Sequence, residues 1–338
     1  MDFPVIIGGM ERSGTSLVRA ILGSHPDLAI FQWDLPLWRR FYLKYKGRDL
    51  NRSECEKLLC RIQADEKALQ TDSTPRVARV LEVLEEREAP FRCEHVFGAY
   101  LKAHAERRGR PRWGLKTPTN EFYARSIFDA YPRVEFVHVI RDPRDVITSM
   151  MKTDFVRSVS LAVNPRYFNP NGVLAWWKMS AMAALQNQNY FEGQYHVLRY
   201  EDVVSSTEDT ISEVCGRIGL EYKSEMLNMD GHPGWQGHNS QIDQGDSGGK
   251  IRNTGNRFPG YLDSSQVSFV ENILGDMMGK HGYRRTEEPG STWKARLLHL
   301  NYSASPLIAG LRGAYRAFFQ EGDCERRRKS TDDLFDYR

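Results

Sequence analysis

The fold of this chain is decided near its start, by residues 4–18, PVIIGGMERSGTSLV. The apolar run from Phe3 to Gly8 predicts a buried strand, and apolar residues at helical spacing from Leu17 to Leu22 predict a helix. Between them, Gly9–Ser16 has the frame G-x-x-x-x-G of a phosphate-binding loop. Backbone N–H groups at a helix N-terminus attract anions, helped by the helix dipole. The sequence therefore predicts a strand, an anion-binding loop and a helix within its first 25 residues.

The same alternation continues along the chain. Apolar runs predict further strands at 112–115, 134–140 and 195–198. Helical patterns follow at 121–131, 142–151, 205–218 and 263–281. Strands that alternate with helices are typical of a parallel sheet covered by helices on both faces, so we predict an α/β fold. We expect one domain over residues 1–285, with a charged helical insertion at about 35–108, and a C-terminal extension over 286–338.

The charge in the first loop differs from that of a nucleoside-triphosphate site. In such loops the residue after the second glycine is a lysine that reaches the β- and γ-phosphates. Here that position holds Thr15, and the positive charge lies inside the loop at Arg12. The loop is therefore predicted to hold one phosphate-like group and not a β/γ pair. A glycine-containing turn without a ligand is the alternative that this motif alone leaves open.

A second anion site is predicted where the strand at 134–140 ends. An NTPase normally has a metal-binding acid near this point, whereas this chain has Arg141, which favours an anion without a metal. Ser149 lies two turns along the next helix, where its hydroxyl can face the same ligand. Asp142 and Asp145 suit the helix dipole and are interpreted as structural. The alternative for Arg141 is a salt-bridged surface arginine.

Taken together, the two loops resemble those of the sulfotransferases that use 3′-phosphoadenosine-5′-phosphosulfate (PAPS). The resemblance rests on residues 4–30, on FVHVIRDPRDVITSM at 136–150, and on the shorter stretches WGLKTP at 113–118 and VLRYEDVV at 197–204. It implies a P-loop NTPase-like sulfotransferase fold of the bacterial or tyrosyl-protein type rather than the cytosolic small-molecule type. It also implies an enzyme that moves a sulfuryl group from PAPS to an acceptor hydroxyl and releases 3′,5′-ADP, without a metal.

The resemblance implies a role for individual residues. The 5′-phosphosulfate would be held by Arg12, Ser13, Gly14, Thr15 and Ser16. The 3′-phosphate would be held by Arg141 and Ser149. Tyr200 matches a tyrosine that contacts the adenine, and Lys116 matches a lysine that touches the transferring sulfuryl group. Arg257 loosely matches a loop that closes over the 3′-phosphate, with Lys250 and Arg252 as alternatives.

The general base is where the chain departs from the family. Cytosolic members have a histidine two residues after the lysine, but this chain has Pro118 there. In tyrosyl-protein and many bacterial members a glutamate follows the first helix; its position falls on Trp33, and Asp34 comes next. We therefore take Asp34, Lys116 and Arg12 as the catalytic candidates. A helix N-cap is the alternative role for Asp34. His25 and His95 are reserve bases, and His138, inside an apolar strand, is expected to be a core residue.

Composition limits the partners and the compartment. The net charge is +3 at pH 7, which does not indicate a nucleic-acid partner. No segment approaches the ~18 uncharged apolar residues of a membrane span, and no signal-peptide pattern begins the sequence. The five cysteines include no C-x-x-C pair, so a reduced, cytoplasmic protein is expected. The sequence does not indicate an oligomeric state.

The acceptor and two rival functions stay open. The acceptor hydroxyl can belong to a sugar, a lipid, a small molecule or a tyrosine. Aromatic residues are crowded after the first site, where they either form core or wall an acceptor pocket: Trp33, Trp38, Phe41, Tyr42 and Tyr45. The rivals are an NTP-dependent kinase of P-loop type, which would bind Mg-ATP, and a catalytically silent nucleotide-binding protein.

Overall fold

The computed structural model describes residues 3–31, 34–67, 74–152, 170–228, 251, 253 and 255–286. These residues belong to two compact units. The first consists of Met1–Val146 and Ala183–Arg257, and the second of Ile147–Met182 and Phe258–Arg338. The predicted single domain over 1–285 stays a prediction, and the predicted C-terminal extension lies, after Thr286, outside the described residues.

The first unit is built on a five-stranded parallel sheet. Its strands are β1 (Val5–Gly8), β2 (Leu28–Ile30), β3 (Arg112–Lys116), β4 (Glu135–Ile140) and β5 (Tyr195–Arg199). They lie in the order β2-β3-β1-β4-β5, and each neighbouring pair is parallel. All residues of β1 are buried, because a parallel sheet is covered on both faces. The prediction of an α/β fold with a parallel sheet is confirmed.

Helices alternate with these strands. The α-helices are α1 (Thr15–Gly23), α2 (Leu43–Tyr45), α3 (Arg52–Lys67), α4 (Val77–Glu85), α5 (Cys93–Arg107), α6 (Ala124–Ala130), α7 (Pro143–Lys152), α8 (Pro170–Tyr190), α9 (Tyr200–Ser205), α10 (Thr207–Arg217) and α11 (Ser264–Lys280). A π-helical turn lies at Trp38–Tyr42, and 3-10 turns lie at Asn120–Tyr123, Ser224–Leu227 and Phe258–Gly260. The helix predicted at 205–218 is observed as α10, and Ser206, whose backbone (φ −138°, ψ 58°) is not helical, separates it from α9.

The insertion between β2 and β3 is mostly helical, as the sequence predicts. Its aromatic residues face inward: Trp38 is 2% exposed, and Phe41, Tyr42 and Tyr45 are also buried. Trp38 packs against Phe97 of α5 with 5.7 Å between ring centroids. These four residues therefore form core, which is the first of the two roles considered for them; Trp33 lies outside the described residues.

The strand order places both predicted anion loops at one point. From β1 the chain proceeds to β2 and β3 on one side, and from β4 it proceeds to β5 on the other. β1 and β4 are neighbours, with Gly8 opposite His138. In open α/β sheets, ligands bind outside the carboxyl ends of the strands where the connections diverge in this way. The loops after β1 and β4 leave the sheet at that point.

The second unit includes α11, which begins with a reciprocal cap. Asp263 accepts a hydrogen bond from the backbone N–H of Gln266, and the Gln266 side chain accepts one from the N–H of Asp263. Trp177 is 1% exposed and packs against His281 and Tyr283, so it is a core residue. Within the part of the chain that the structure describes, no helix is long and apolar enough to cross a bilayer.

Candidate functional site

The loop after β1 depends on two glycines with left-handed backbone. Gly9 has φ 125° and Gly14 has φ 95°, values that L side chains rarely adopt. A Cβ on Gly9 would collide with the carbonyl oxygen of Val139, and one on Gly14 would collide with the ring of Tyr200. The loop therefore lies directly against β4 and the start of α9, and the G-x-x-x-x-G spacing is required by close packing as well as by backbone geometry.

Helix α1 starts at the end of this loop. The carbonyl oxygen of Gly14 accepts from the N–H groups of Leu17 and Val18, at 3.0 and 3.2 Å. The first N–H groups of an α-helix have no acceptor within the helix, and Gly14 has no side chain to cap them. Ser13 and Thr15 are buried beside them. The helix start that the sequence predicts after the loop is present, and its binding of an anion stays a prediction.

Two arginines lie together at the loop. Arg141, which follows β4, is only 4% exposed, and its Nη1 donates to the backbone oxygen of Arg12 at 3.3 Å. Burial lowers the pKa of Arg12, and the positive charge of Arg141 lowers it further. Two neighbouring guanidinium groups repel each other, and a bound polyanion removes that cost. The two arginines therefore lie in one cationic region. Arg141 is buried and not on the surface, but it does form a salt bridge, with Asp145. The binding of anions by Arg12 and Arg141 stays a prediction.

Tyr200 lies under both loops. It is fully buried, and the guanidinium of Arg141 lies over its ring, 4.3 Å from the centroid. The same ring contacts Gly14. Tyr200 therefore fixes the position of the first loop relative to Arg141; its contact with an adenine stays a prediction.

Asp145 connects Arg141 to the segment that contains Arg257. One carboxylate oxygen of Asp145 lies 3.6 Å from Nη2 of Arg141, and the other accepts from the backbone N–H of Arg257 at 2.8 Å. The Arg257 side chain is exposed, and the alternatives Lys250 and Arg252 lie outside the described residues. Ser149 lies on α7, in the second unit; its contact with a 3′-phosphate stays a prediction.

The other aspartate of this turn has a different structural role. Asp142 forms a bidentate ion pair with Arg144, at 2.9 and 2.6 Å, and both residues are buried. Its backbone N–H donates to Glu201 at 3.0 Å. The interpretation of Asp142 and Asp145 as structural residues agrees with these contacts, because each carboxylate accepts from protein groups that shape the turn after β4.

The catalytic candidates Asp34 and Lys116 are 82 residues apart in sequence and form an ion pair in the structure. Lys116 ends β3 and is 4% exposed, whereas half of the Asp34 side chain is exposed. The pair is held in place by Thr117, whose hydroxyl donates to the carbonyl oxygen of Leu35 at 2.9 Å. The residue that caps the next helical turn is Leu37 and not Asp34, so the alternative N-cap role for Asp34 is wrong.

Arg19 is a charged residue near Asp34 that the sequence analysis missed. It lies on α1, is 6% exposed, and interacts electrostatically with Asp34. Burial lowers its pKa to about 10, against the opposing effect of the Asp34 charge. Its signal in the sequence is an arginine inside the apolar run LVRAIL, at 17–22. A charge there needs a buried partner or ligand.

The histidines have structural contacts. His25 accepts at Nδ1 from the N–H of Asp27 and contacts the carbonyl oxygen of Glu221 through Nε2. His95 contacts the backbone N–H of Arg92, and its pKa is lowered by burial and by Arg87. His138 is fully buried and contacts the Tyr195 hydroxyl at 2.8 Å, so its prediction as a core residue is confirmed. The ring nitrogens of His25 and His95, the two reserve bases, thus contact backbone groups.

No group of three or more potential metal ligands is found among the residues that the structure describes. The site after β1 and β4 instead contains guanidinium groups, hydroxyls and the start of a helix. These groups bind phosphate and sulfate oxygens directly, by charge-assisted hydrogen bonds. The donor set thus fits a ligand with separate anionic groups.

Comparison with known proteins identifies the family. The sequence model described as "Sulfotransferase family" matches residues 4–224. A Caenorhabditis briggsae protein, named provisionally as a protein-tyrosine sulfotransferase, is 25% identical over 224 residues, which are 66% of this chain and 68% of that protein.

Two solved structures are also similar. The sulfotransferase domain from the curacin biosynthetic pathway has a TM-score of 0.45 at 18% identity and covers 90% of this chain and 99% of its own. A mouse sulfotransferase complexed with PAP has a TM-score of 0.42 at 11% identity and covers 89% of each chain. The family model alone spans about two thirds of the 338 residues. The chain therefore belongs to the sulfotransferase family, as the resemblance of its two loops predicted, and is an enzyme that transfers sulfuryl groups.

Proposed function

We propose that the sulfuryl donor is PAPS and that the two loops after β1 and β4 bind its two anionic ends. The observation that carries this proposal is the juxtaposition of Arg12 and Arg141 at the point where the connections of the sheet diverge. The family match supports a sulfuryl donor, and two separate cationic groups suit a donor with a 5′-phosphosulfate and a 3′-phosphate. The rival kinase is not favoured, since Thr15 replaces the lysine of an NTP site and Arg141 replaces a metal-binding acid.

The residues divide between the two ends of the donor. The N-terminus of α1 and the side chains of Arg12, Ser13, Thr15 and Ser16 would hold the 5′-phosphosulfate. Arg141 would bind the 3′-phosphate, with Ser149 and Arg257 as further partners. Tyr200 would contact the adenine, and it would help to orient the nucleotide by supporting the loop at Gly14. In this assignment the protein mainly positions the donor and stabilises negative charge.

When bound, PAPS supplies a sulfuryl group that forms an S–O bond to the acceptor oxygen while the S–O bond to the 5′-phosphate breaks, leaving 3′,5′-ADP. Lys116 would stabilise charge on the transferred group. Asp34 would accept the proton of the acceptor hydroxyl, since it is half exposed and lies directly against Lys116. A base must be within hydrogen-bond reach of the proton that it accepts. In this assignment, contact between Lys116 and the sulfuryl group would release the Asp34 carboxylate from the ion pair.

The acceptor is a hydroxyl-bearing molecule, and its class remains one of those that the sequence allows: a sugar, a lipid, a small molecule or a tyrosine. The Caenorhabditis briggsae relative supports the inclusion of tyrosyl peptides in any acceptor screen. The cytoplasmic compartment predicted from composition stays a prediction.

The proposal is tested by incubating the protein with PAPS, EDTA and a panel of phenols, sugars and tyrosyl peptides, and measuring 3′,5′-ADP and the sulfated product. Wild-type protein is expected to turn over at least one acceptor. Asp34→Asn is expected to lower kcat about 100-fold, the usual size of a general-base effect, because the amide cannot accept the proton. Asp34→Glu should recover part of the activity.

A matched control is Asp49→Asn, which changes an exposed aspartate outside the site and should leave kcat unchanged. Wild-type turnover by Asp34→Asn would show that another group is the base. Turnover of Mg-ATP with no release of 3′,5′-ADP from PAPS would overturn the proposed donor.

A further inference from the structure

A buried carboxyl group lies under the anion loop and has no part in the assignments above. Glu121 follows β3, in the 3-10 turn Asn120–Tyr123, and is 1% exposed. Its Oε2 accepts a hydrogen bond from the backbone N–H of Gly9 at 2.9 Å, across 112 residues of sequence. Gly9 is the first residue of the anion loop, and its φ of 125° is one that residues with a side chain rarely adopt.

Glu121 is itself fixed by a buried polar network. The amide of Asn187, on α8, donates to the backbone oxygen of Glu121 at 2.9 Å and to the Tyr195 hydroxyl at 3.3 Å. That hydroxyl also contacts His138 at 2.8 Å. Burial raises the pKa of Tyr195 well above its ordinary value, so it remains a neutral partner in this network. The network connects β4 and β5 to the carboxyl group that supports Gly9.

The same region is tightly packed. A Cβ on Gly8 would approach the Phe136 ring at 2.8 Å and the backbone nitrogen of Glu121 at 3.1 Å. The side chain of Asn120 donates to the carbonyl oxygen of Ile7 at 3.2 Å. The turn after β3 therefore contacts the last residues of β1 through backbone and side chains, and it fixes the direction in which the chain enters the loop.

From these contacts we infer that Glu121 is a positioning residue for the anion loop: through the N–H of Gly9 it sets the loop conformation that presents the N-terminus of α1 to the ligand. A carboxyl group near an anion site opposes the charge of the ligand, so its benefit must come from the hydrogen bond and not from its charge. The identity of the ligand rests on the proposed function, whereas the effect of Glu121 on the loop conformation does not.

The hydrogen bond and the charge are separated by two substitutions. Glu121→Gln keeps an oxygen that accepts from Gly9 and removes the charge, so it should bind 3′,5′-ADP as tightly as wild type or more tightly. Glu121→Ala leaves the buried N–H of Gly9 without this acceptor and should weaken binding about tenfold, the usual effect of such a loss. Calorimetric titration measures both. Hydrogen exchange of peptides covering residues 8–16 should be faster in Glu121→Ala and unchanged in Glu121→Gln.

Glu271 offers a matched control. It is also buried, at 3% exposure, and accepts from the backbone N–H of Thr286 at 3.0 Å, in the second unit. Glu271→Ala should lower Tm without affecting exchange in residues 8–16. If Glu121→Ala only lowers Tm, with exchange at 8–16 and binding as in wild type, the inference is wrong. If wild-type protein does not bind 3′,5′-ADP, the proposed function fails, and the exchange measurement alone decides the role of Glu121.

Discussion

Replacement of Arg141 by alanine is expected to weaken the binding of 3′,5′-ADP about 100-fold, because charge-assisted hydrogen bonds to a phosphate contribute about 1.5–3 kcal/mol each. Arg141 is buried, lies over Tyr200 and donates to the backbone of Arg12. These contacts hold Arg141 in place beside the position proposed for the 3′-phosphate. Calorimetric titration of the variant measures the change.

Removal of Arg141 also leaves the buried Asp145 without this partner, which costs about 3 kcal/mol of stability. Arg141→Lys keeps the charge but loses the planar guanidinium that contacts both Arg12 and Asp145, and it should lose about tenfold in affinity. The double variant Arg141→Met with Asp145→Asn removes both charges and tests binding in a protein without the unpaired carboxylate. If a folded variant without Arg141 binds 3′,5′-ADP like wild type, the second anion site lies elsewhere.

Replacement of Lys116 by methionine is expected to lower kcat about 100-fold or more, the usual cost of losing a group that stabilises developing charge. Affinity for 3′,5′-ADP should remain that of wild type, because the product lacks the sulfuryl group that Lys116 would contact. This separation of kcat from product binding distinguishes a catalytic lysine from one that only holds Asp34. Single-turnover kinetics with PAPS and equilibrium titration with 3′,5′-ADP measure the two quantities.

Lys102→Met is a suitable control for Lys116→Met, since Lys102 also pairs with an acid, Glu86, on the surface of the insertion. It should change neither turnover nor affinity. An unchanged kcat in Lys116→Met would assign the ion pair with Asp34 a structural role alone. Parallel losses of kcat and of 3′,5′-ADP affinity would instead place Lys116 in the nucleotide site.

Local patterns account for the parts of this protein that could be predicted. β1 and β4 are short, mostly apolar runs; the first ends at a glycine and the second is followed by an arginine, and the loop 9–16 has fixed glycine spacing. Strands that are buried on both faces of a parallel sheet consist almost entirely of apolar residues. Such a run can be recognised in the sequence without knowledge of its neighbours in the fold. The placement of Arg12 and Arg141 in one site follows from the parallel arrangement, which brings the carboxyl ends of neighbouring strands together.

Other features depend on distant partners, and the sequence does not show them. β2 has only three residues, and its place at the edge of the sheet is set by pairing with β3. The role proposed for Glu121 depends on its hydrogen bond with Gly9, and the role proposed for Asp34 depends on its ion pair with Lys116. The general base shows the same limit. Asp34 could be proposed from its distance to the first helix, but only the structure shows that the next helical turn starts after Leu37 and that Asp34 pairs with Lys116.

Calorimetric titration of wild-type protein with 3′,5′-ADP in EDTA, with ATP as the comparison ligand, measures whether the chain has a two-anion site for PAPS. We expect one site per chain that binds 3′,5′-ADP without metal, and weaker or undetected binding of ATP. No binding of 3′,5′-ADP, or binding only to Mg-ATP, would contradict it.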